Sequence, residues 1–95
     1  MAENNKVIIT VSGADKIGIV AMVAALLAEC RVNIEDIKQT LMQGYFVMFM
    51  LCNVEKLNRS FNDFQAILKT ECSKMGMEAW IQRKELFDNM HDIGS

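Results

Sequence analysis

Residues 45–52 read YFVMFMLC, and all eight of these side chains are apolar or aromatic. A strand turns successive side chains to opposite faces of its sheet, so a sheet with one face in water alternates apolar and polar residues. This stretch does not alternate. It therefore predicts a strand at the centre of a sheet, with apolar side chains on both faces.

The chain has 95 residues, of which 52% are hydrophobic and 23% are charged. This size and composition predict one folded domain rather than a disordered segment. Such a domain buries roughly 60–70% of the surface that its unfolded chain exposes. We assign residues 1–95 to a single domain, with its core over 5–86 and a tail over 87–95.

The formal net charge is −2, and the ten Lys and Arg residues are scattered along the chain. Nucleic-acid binding depends on clustered basic residues, so nucleic acid is not an expected partner. No apolar stretch approaches the roughly 20 residues that span a bilayer. The first residues do not form a secretory signal. We therefore expect a cytoplasmic protein without a membrane partner.

Three cysteines, Cys30, Cys52 and Cys72, lie far apart in the sequence. They form no Cys-x-x-Cys pair and have no histidine nearby, so the spacing of a metal site is absent. An odd number of cysteines also does not close a set of disulfides. We interpret all three as small buried hydrophobic side chains in a reducing compartment, and we expect no metal or cofactor.

The first two elements are a strand and a helix. Residues 6–12, KVIITVS, are rich in β-branched side chains and predict a strand. Residues 19–30, IVAMVAALLAEC, carry large apolar side chains at helical spacing and predict a helix. Asp15 is a candidate cap near the start of this helix.

A hairpin is predicted next. Residues 32–42 form its first strand and residues 45–54 its second, with Gln43–Gly44 as the tight turn between them. In the first strand, Ile34 and Ile37 are out of phase for a regular alternation. A β-bulge is therefore predicted near Glu35–Asp36, and these two acidic residues are interpreted as solvated rather than as metal ligands.

Three more elements follow the hairpin. Residues 58–75 predict an amphipathic helix, with Asn58 as a candidate cap and Gly76 at its end. Residues 77–85 alternate and predict a fourth strand, and residues 86–93 predict a short docked tail helix. The apolar face of the amphipathic helix consists of Phe61, Phe64, Leu68, Cys72 and Met75.

The order β-α-β-β-α-β predicts an α+β fold. It is a ferredoxin-like sandwich with a four-stranded antiparallel sheet, two helices on one face and a short C-terminal helical tail. Right-handed crossovers place the first and third strands at the centre. These are the two most apolar strands, so the sequence and the topology agree.

This topology leaves the second face of the sheet bare, although half of YFVMFMLC points into it. An apolar face of this kind promotes aggregation unless something covers it. The sequence leaves two candidates for covering this face. One is a second subunit, for which Trp80 would be an aromatic anchor. The other is the tail helix, through Leu86, Phe87, Met90 and Ile93.

The sequence offers little for catalysis or RNA binding. General acid–base chemistry needs a positioned histidine or paired carboxylates, and the one histidine, His91, lies in the tail. The stretch QGYFVMFM superficially matches the third strand of an RNA-recognition motif. However, Gln43 stands where a basic residue is expected, and Phe46 stands where a small one is expected.

The turn SGADKIGIV, residues 12–20, links the first strand to the start of the first helix. Backbone N–H groups and the helix dipole at such a position favour a carboxylate or a phosphate. Gly13 and Gly18 would allow a ligand to approach the backbone closely. Two glycines in six residues also make an ordinary turn, so a binding loop and a plain connection both remain open.

The pattern DKIGIV at residues 15–20, followed by VNI at residues 32–34, resembles an ACT domain. The similarity covers essentially the whole chain and includes VNIEDIKQT, the GYF turn and IQRKELF. It extends to small stand-alone ACT proteins, to the N-terminal ACT domain of formyltetrahydrofolate deformylase and to the glycine cleavage system repressor.

This resemblance implies a non-catalytic regulatory module that senses an amino acid or a related small carboxylate. ACT domains pair side by side or back to back, and effectors bind at the interface, so a homodimer is expected. The alternative is a protein–protein interaction or dimerisation module without a ligand. Carried onto this sequence, the ligand-binding residues are Ser12, Gly13, Ala14, Asp15, Lys16, Ile17 and Gly18, completed by Asn33 and Ile34.

Overall fold

The structure is a computed structural model of the chain, and it describes residues 5–14 and 17–85, apart from the side chain of Met42. Six elements follow one another in the predicted order, which confirms the βαββαβ arrangement. Their bounds are β1 Lys6–Gly13, α1 Ile19–Glu29, β2 Asn33–Met42, β3 Tyr45–Asn53, α2 Phe61–Lys74 and β4 Glu78–Arg83.

The C-terminal part differs from the prediction in one respect. β4 ends at Arg83, two residues before the predicted end, because the backbone of residues 84–85 already turns helical. The tail helix predicted over residues 86–93, and His91 within it, lie outside the described residues.

The four strands form one antiparallel sheet in the order β2-β3-β1-β4. The predicted central position of β1 and β3 is therefore confirmed. The register places Ile9 of β1 between Met50 of β3 and Ile81 of β4. On the opposite face, Thr10 lies between Phe49 and Trp80.

One face of this sheet packs against both helices and forms the core, which we call the inner face. Every second residue of β1 and β3 points into it and meets the apolar stripes of α1 and α2. The fully buried members of this core with the largest side chains include Phe46, Phe64, Ile9, Ile19, Leu27, Met48, Met50 and Leu68.

The stretch YFVMFMLC divides between the two faces of the sheet. Its alternate residues Phe46, Met48, Met50 and Cys52 are buried on the inner face. The others point to the opposite, outer face. On that face large hydrophobic side chains keep part of their area in solvent: Tyr45 at 50%, Phe49 at 37% and Trp80 at 42% exposure.

Helix α1 begins at Ile19, as predicted, but its cap is not the predicted residue. The residue at its N-cap is Gly18, in a left-handed conformation with φ +78°, so the prediction of Asp15 as the cap is wrong. No side chain of the described residues accepts a hydrogen bond from the N–H groups of this helix start. A glycine fits here because it has no Cβ to clash at positive φ.

The end of α1 is closed by a residue that is not glycine. The N–H of Val32 donates to the carbonyl of Leu27 (2.8 Å), and the N–H of Arg31 donates to that of Ala28 (3.1 Å). This pair of bonds is the Schellman motif, whose left-handed position is usually glycine. Arg31 occupies that position with φ +63°.

Helix α2 is capped by Ser60, so the prediction of Asn58 is wrong. The Ser60 Oγ accepts the N–H of Asp63 at 3.1 Å. Asn58 instead joins the loop to α1, because its Nδ2 donates to the carbonyl of Glu29 at 2.9 Å. The predicted end at Gly76 is confirmed, with φ +74° in a second Schellman motif.

The hairpin turn and the bulge are both confirmed. Gln43 and Gly44 have φ values of +53° and +81°, and two positive values are the signature of a type I′ turn. The register of β2 against β3 shifts between Ile34 and Asp36, which places the bulge at Glu35. Glu35 forms an ion pair with Lys6 at 2.9 Å, and this hydrogen bond lowers the pKa of Glu35.

The amphipathic pattern of α2 is confirmed in its centre and fails at its end. Phe64, Leu68 and Cys72 are buried, and Phe61 is half-buried. Met75 was predicted on the same apolar face but is 37% exposed, because it is the C-cap residue and the helix has ended there.

The three cysteines are buried, as predicted, and each has a free thiol. Desolvation raises the pKa of Cys52 to about 12 and that of Cys72 to about 11. It also raises the pKa of Cys30. The folded protein therefore holds these groups as neutral thiols.

Replacing Arg31 by glycine is expected to stabilise the protein. Relief of left-handed strain is worth about 1–2 kcal/mol, and the extra backbone entropy of glycine takes back about 0.5–1 kcal/mol. A net gain of about 0.5–1 kcal/mol raises the melting temperature by roughly 2–8 °C, which calorimetry measures. Arg31→Ala keeps the strain and is the control. A lower melting temperature for Arg31→Gly than for Arg31→Ala would contradict this.

The native thiols are expected to resist iodoacetamide at pH 8 and to react at once in denaturing guanidinium. Alkylation needs the thiolate, which burial disfavours. The same shift has a consequence for stability. The raised pKa values contribute stability that is complete below the ordinary thiol pKa of 9.0 and is lost as the pH rises towards 11–12. Rapid labelling of any of the three in the native protein would refute this.

Candidate functional site

The first group of predicted site residues lies between β1 and α1. Ser12 and Gly13 end β1, and Gly18 caps α1, so the turn connects a central strand to a helix start. Ala14 is exposed, and Ile17 is 81% exposed. Asp15 and Lys16 lie outside the described residues.

Among the residues that the structure describes, no acidic group or side-chain cap occupies the start of α1. Helix α2 is different, because Ser60 caps it and Asp63 lies in its first turn. Unsatisfied N–H groups and the positive end of the helix dipole favour a carboxylate at α1.

The glycine at the end of β1 is required by the fold itself. A Cβ at Gly13 would collide with the Sδ of Met77 and would lie 3.2 Å from the carbonyl oxygen of Gly76. The space beside Gly13 is therefore filled by the segment that precedes β4. Gly18 has more room, since the nearest atom to a Cβ there is the Cε of Met75 at 3.5 Å.

The second group of predicted site residues lies at the other end of the sheet. Asn33 pairs with Asn53 of β3, whereas Gly13 pairs with Phe46 of the same strand. Asn53 lies seven positions after Phe46 on β3, which is about 24 Å along a strand. Within one chain the structure therefore does not bring Asn33 and Ile34 to the β1–α1 turn.

Asn33 opens onto a polar cleft of about 330 Å³, which we call the β2-start cleft. Arg31, Asn33, Asn53, Glu55 and Lys56 line it. The neighbouring Ile34 is half-buried and packs against the core. Of the two residues predicted to complete the site, only Asn33 thus offers its side chain to this cleft.

The floor of the β2-start cleft is held by hydrogen bonds. The Oδ1 of Asn53 accepts the N–H of Glu55 at 2.8 Å. The Nδ2 of Asn53 donates to the Oε2 of Glu35 at 3.5 Å, and the Oε1 of the same carboxylate pairs with Lys6. Asn53 is therefore fixed at both ends and holds the turn that carries Glu55 and Lys56.

Sequence reasoning missed Arg31, Glu55 and Lys56 as members of this cleft. Arg31 follows the end of α1, whereas Glu55 and Lys56 lie in the loop after β3. These residues come together only because β2 pairs with β3. One signal was available, because Arg31 follows α1 at the position where glycine is the usual residue.

An exposed apolar strip runs along the β2 edge of the molecule. Ile37 is 39% and Leu41 57% exposed, although both point to the inner face. At 100° per residue, Val20 and Ala24 lie on the flank of α1 opposite Met22, which lines the cleft towards α2. Val20 and Ala24 therefore flank the same strip, which we call the β2-edge strip.

The remaining features do not involve predicted site residues. A cleft of about 580 Å³ between α1 and α2 is lined mainly by the two helices. Within residues 5–14 and 17–85, no cluster of three metal-ligating side chains is found. In the same residues, no helix is long and apolar enough to cross a membrane.

Comparison with known proteins places this geometry in a family. The residue pattern of the ACT domain matches residues 5–82. A UPF0237 protein from Listeria monocytogenes is 39% identical over 88 residues, which cover 93% of this chain and 99% of that protein. The structure of an ACT domain protein from Streptococcus pneumoniae superposes with a TM-score of 0.76 and 34% identity, over 86% of this chain and 92% of that one.

More distant structures share the fold alone. A formyltetrahydrofolate deformylase from Pseudomonas putida superposes with a TM-score of 0.69 at 21% identity, over 81% of this chain and 28% of its own. A putative glycine cleavage system transcriptional repressor superposes with a TM-score of 0.65 at 20% identity, over 83% and 45%. With its matching pattern, relatives and fold, the chain belongs to the ACT domain family.

Proposed function

We propose that this protein is a non-catalytic regulatory module that binds an amino acid or a related small carboxylate between two copies of itself. The observation that carries the proposal is the separation of the two predicted half-sites. The β1–α1 turn and Asn33 lie about 24 Å apart in one chain, at opposite ends of the sheet. Within a single copy, the two half-sites are too far apart to contact one small ligand together.

A two-fold dimer removes this separation. If two copies meet along their β2 edges, the two-fold axis makes these strands antiparallel. The turn end of one copy then lies beside the Asn33 end of the other. Each dimer would hold two equivalent sites, each built from the β1–α1 turn of one subunit and the β2 start of its partner.

The β2-edge strip supports this dimer. Ile37 and Leu41 expose apolar surface on an outer strand, where a monomer usually places charges or covers the edge. Ile17, in the β1–α1 turn, is a further apolar side chain with 81% exposure. A stable interface of about 800 Å² per subunit would bury these side chains and bring the half-sites together.

The β1–α1 turn supports an acidic ligand group. The uncapped start of α1 offers backbone N–H groups and a positive dipole end to a carboxylate. Regulation would follow if the ligand binds one dimer geometry more tightly than another, since a ligand shifts an equilibrium only by that difference.

The second candidate function is a dimerisation or protein–protein interaction module without a ligand. The β2-edge strip favours it, because that surface needs only a partner and no small molecule. The two functions differ in one measurable property, which is stabilisation by free amino acids.

At least one of the twenty amino acids is expected to raise the melting temperature at millimolar concentration. A ligand at 100 times its dissociation constant stabilises the folded state by about 2.7 kcal/mol. Differential scanning fluorimetry measures this shift. If none of the twenty produces one, the ligand-binding function falls and the interaction module stands.

The contribution of the β1–α1 turn is tested at Ala14, which is exposed. Ala14→Asp places a negative charge near the ligand carboxylate and should abolish the shift. Ala14→Asn has the same shape without the charge and should retain it. Gly18 is a poorer position for this test, because a side chain at φ +78° strains the backbone.

The protein is expected to sediment as a dimer at tens of micromolar, and Leu41→Glu should dissociate it. The new charge would be buried without a partner in the proposed interface. Trp80→Glu, on the outer face of β4, is the matched control and should leave the dimer intact. Dissociation by Trp80→Glu and not by Leu41→Glu would move the interface to the outer face.

A further inference from the structure

The outer face of the sheet carries an apolar band along its two central strands, which we call the outer band. The register assigns to it the following side chains of β1 and β3: Ile8, Tyr45, Val47, Phe49 and Leu51. Thr10 and Ser12 of β1 lie in the same band and are buried. Tyr45 and Phe49, with Trp80 of β4 beside Thr10, keep part of their area in solvent. The outer band is therefore an incompletely covered apolar surface.

Charged side chains border the outer band on both sides. Asp36 and Lys38 lie on the outer face of β2, and Glu78 lies on that of β4. All three are exposed. The outer face is thus apolar over its two central strands and charged over its two outer strands.

The width of the outer band fits a single helix. A helix is about 10 Å across, which is the width of two neighbouring strands. A helix over β1 and β3 would bury the band and leave Asp36, Lys38 and Glu78 in water. A second copy stacked face to face would cover all four strands and bury these charges, although charged residues are depleted in the cores of interfaces. The pattern favours one helix over a second sheet.

The end of β4 leads the chain to one end of the outer band. Arg83, the last residue of β4, pairs with Val7 near the start of β1. The inner side of this end is occupied, because the Cζ of Arg83 lies 5.6 Å from the centre of the Phe61 ring of α2. The backbone of residues 84–85 turns helical. The chain beyond residue 85 therefore starts within reach of the outer face, whereas α2 fills the inner side.

The sequence of residues 86–93, LFDNMHDI, supplies an apolar stripe of helical spacing. At 100° per residue, its four apolar side chains fall within an arc of about 120°. They are Leu86, Phe87, Met90 and Ile93. Asp88 and Asp92 fall on the opposite side. A helix of this sequence has one face for an apolar surface and one face for water.

The length of this segment matches part of the outer band. Eight helical residues span about 12 Å. From Lys6 to Thr10, β1 rises by about 14 Å. A helix that starts at the end of β4 therefore reaches the row of Phe49 and Trp80. Tyr45 lies about 14 Å farther along β3 and is beyond its reach.

We propose that residues 86–95 cover the outer band of their own chain as a helix over β1 and β3, and that this cover keeps other copies from stacking on that face. Leu86, Phe87, Met90 and Ile93 contact the band. The chain's own segment outcompetes a free partner, because its tether holds it at a high effective concentration beside the band. The β2-edge strip stays open, so assembly is directed to that edge.

The contact is tested first in the unmodified full chain by nuclear Overhauser spectroscopy. Trp80 and Tyr45 are the single tryptophan and the single tyrosine of the chain, so their ring signals are unambiguous. The indole of Trp80 should show contacts to the methyl groups of Met90 or Ile93, and the ring of Tyr45 should show none. Mixing labelled and unlabelled copies, with isotope filtering, separates contacts within one chain from contacts between chains.

The role of the cover is tested with two neighbouring substitutions. Met90→Glu places a charge in the apolar stripe, and His91→Glu places the same charge outside it as the matched control. Met90→Glu should shift the Trp80 emission to longer wavelength and produce species that sediment faster than the parent protein. His91→Glu should change neither property. Adding Trp80→Glu to Met90→Glu should remove the larger species, because the new charge blocks stacking on the outer face.

The proposal is overturned if Trp80 in the folded parent protein contacts no residue of 86–95, or contacts only that segment of another copy. Equal emission shifts in Met90→Glu and His91→Glu would also contradict it. If the contact is present but Met90→Glu sediments as the parent protein does, the segment covers the band without excluding other copies, and the second half of the proposal falls.

Discussion

The pairing of β1 with β3 is the interaction on which the rest of the structure depends. Eight residue pairs align antiparallel from Lys6–Asn53 to Gly13–Phe46. This pairing collects alternate apolar side chains of both strands on the inner face, where α1 and α2 bury them. Because the helices cover only that face, Tyr45, Phe49 and Trp80 on the outer face keep part of their area in solvent.

The sequence predicted the elements and the sheet order because these follow from periodicity and from topology. The run at residues 45–52 identified a central strand, and the phase break between Ile34 and Ile37 located the bulge. The helix caps failed for a local reason. Asp15 and Asn58 are good capping residue types, but Gly18 and Ser60 lie at the positions where the backbone enters each helix.

The candidate site was harder to predict because it depends on distance across the sheet. The nine residues implied by the family pattern fall into two groups, and only the antiparallel register reveals that the groups lie at opposite ends of β3. The charged residues Arg31, Glu55 and Lys56 belong to no motif. They become neighbours of Asn33 only when β2 and β3 pair, so no pattern in a single segment could have identified them.

The bulge at Glu35 has a consequence for how the length of β2 can vary. Before the bulge Ile34 points inward, and after it Ile37 and Leu41 point inward again, with Glu35 as the extra residue. Loss of this one residue would remove the bulge and leave the rest of the strand in phase, with Asp36 still opposite Leu51 and Ile37 still opposite Met50. Loss of one residue between Ile37 and Leu41 would instead turn Leu41 to the outer face, because side chains alternate with a period of two. The bulge is therefore the point at which β2 can become one residue shorter without moving its apolar side chains away from the helices.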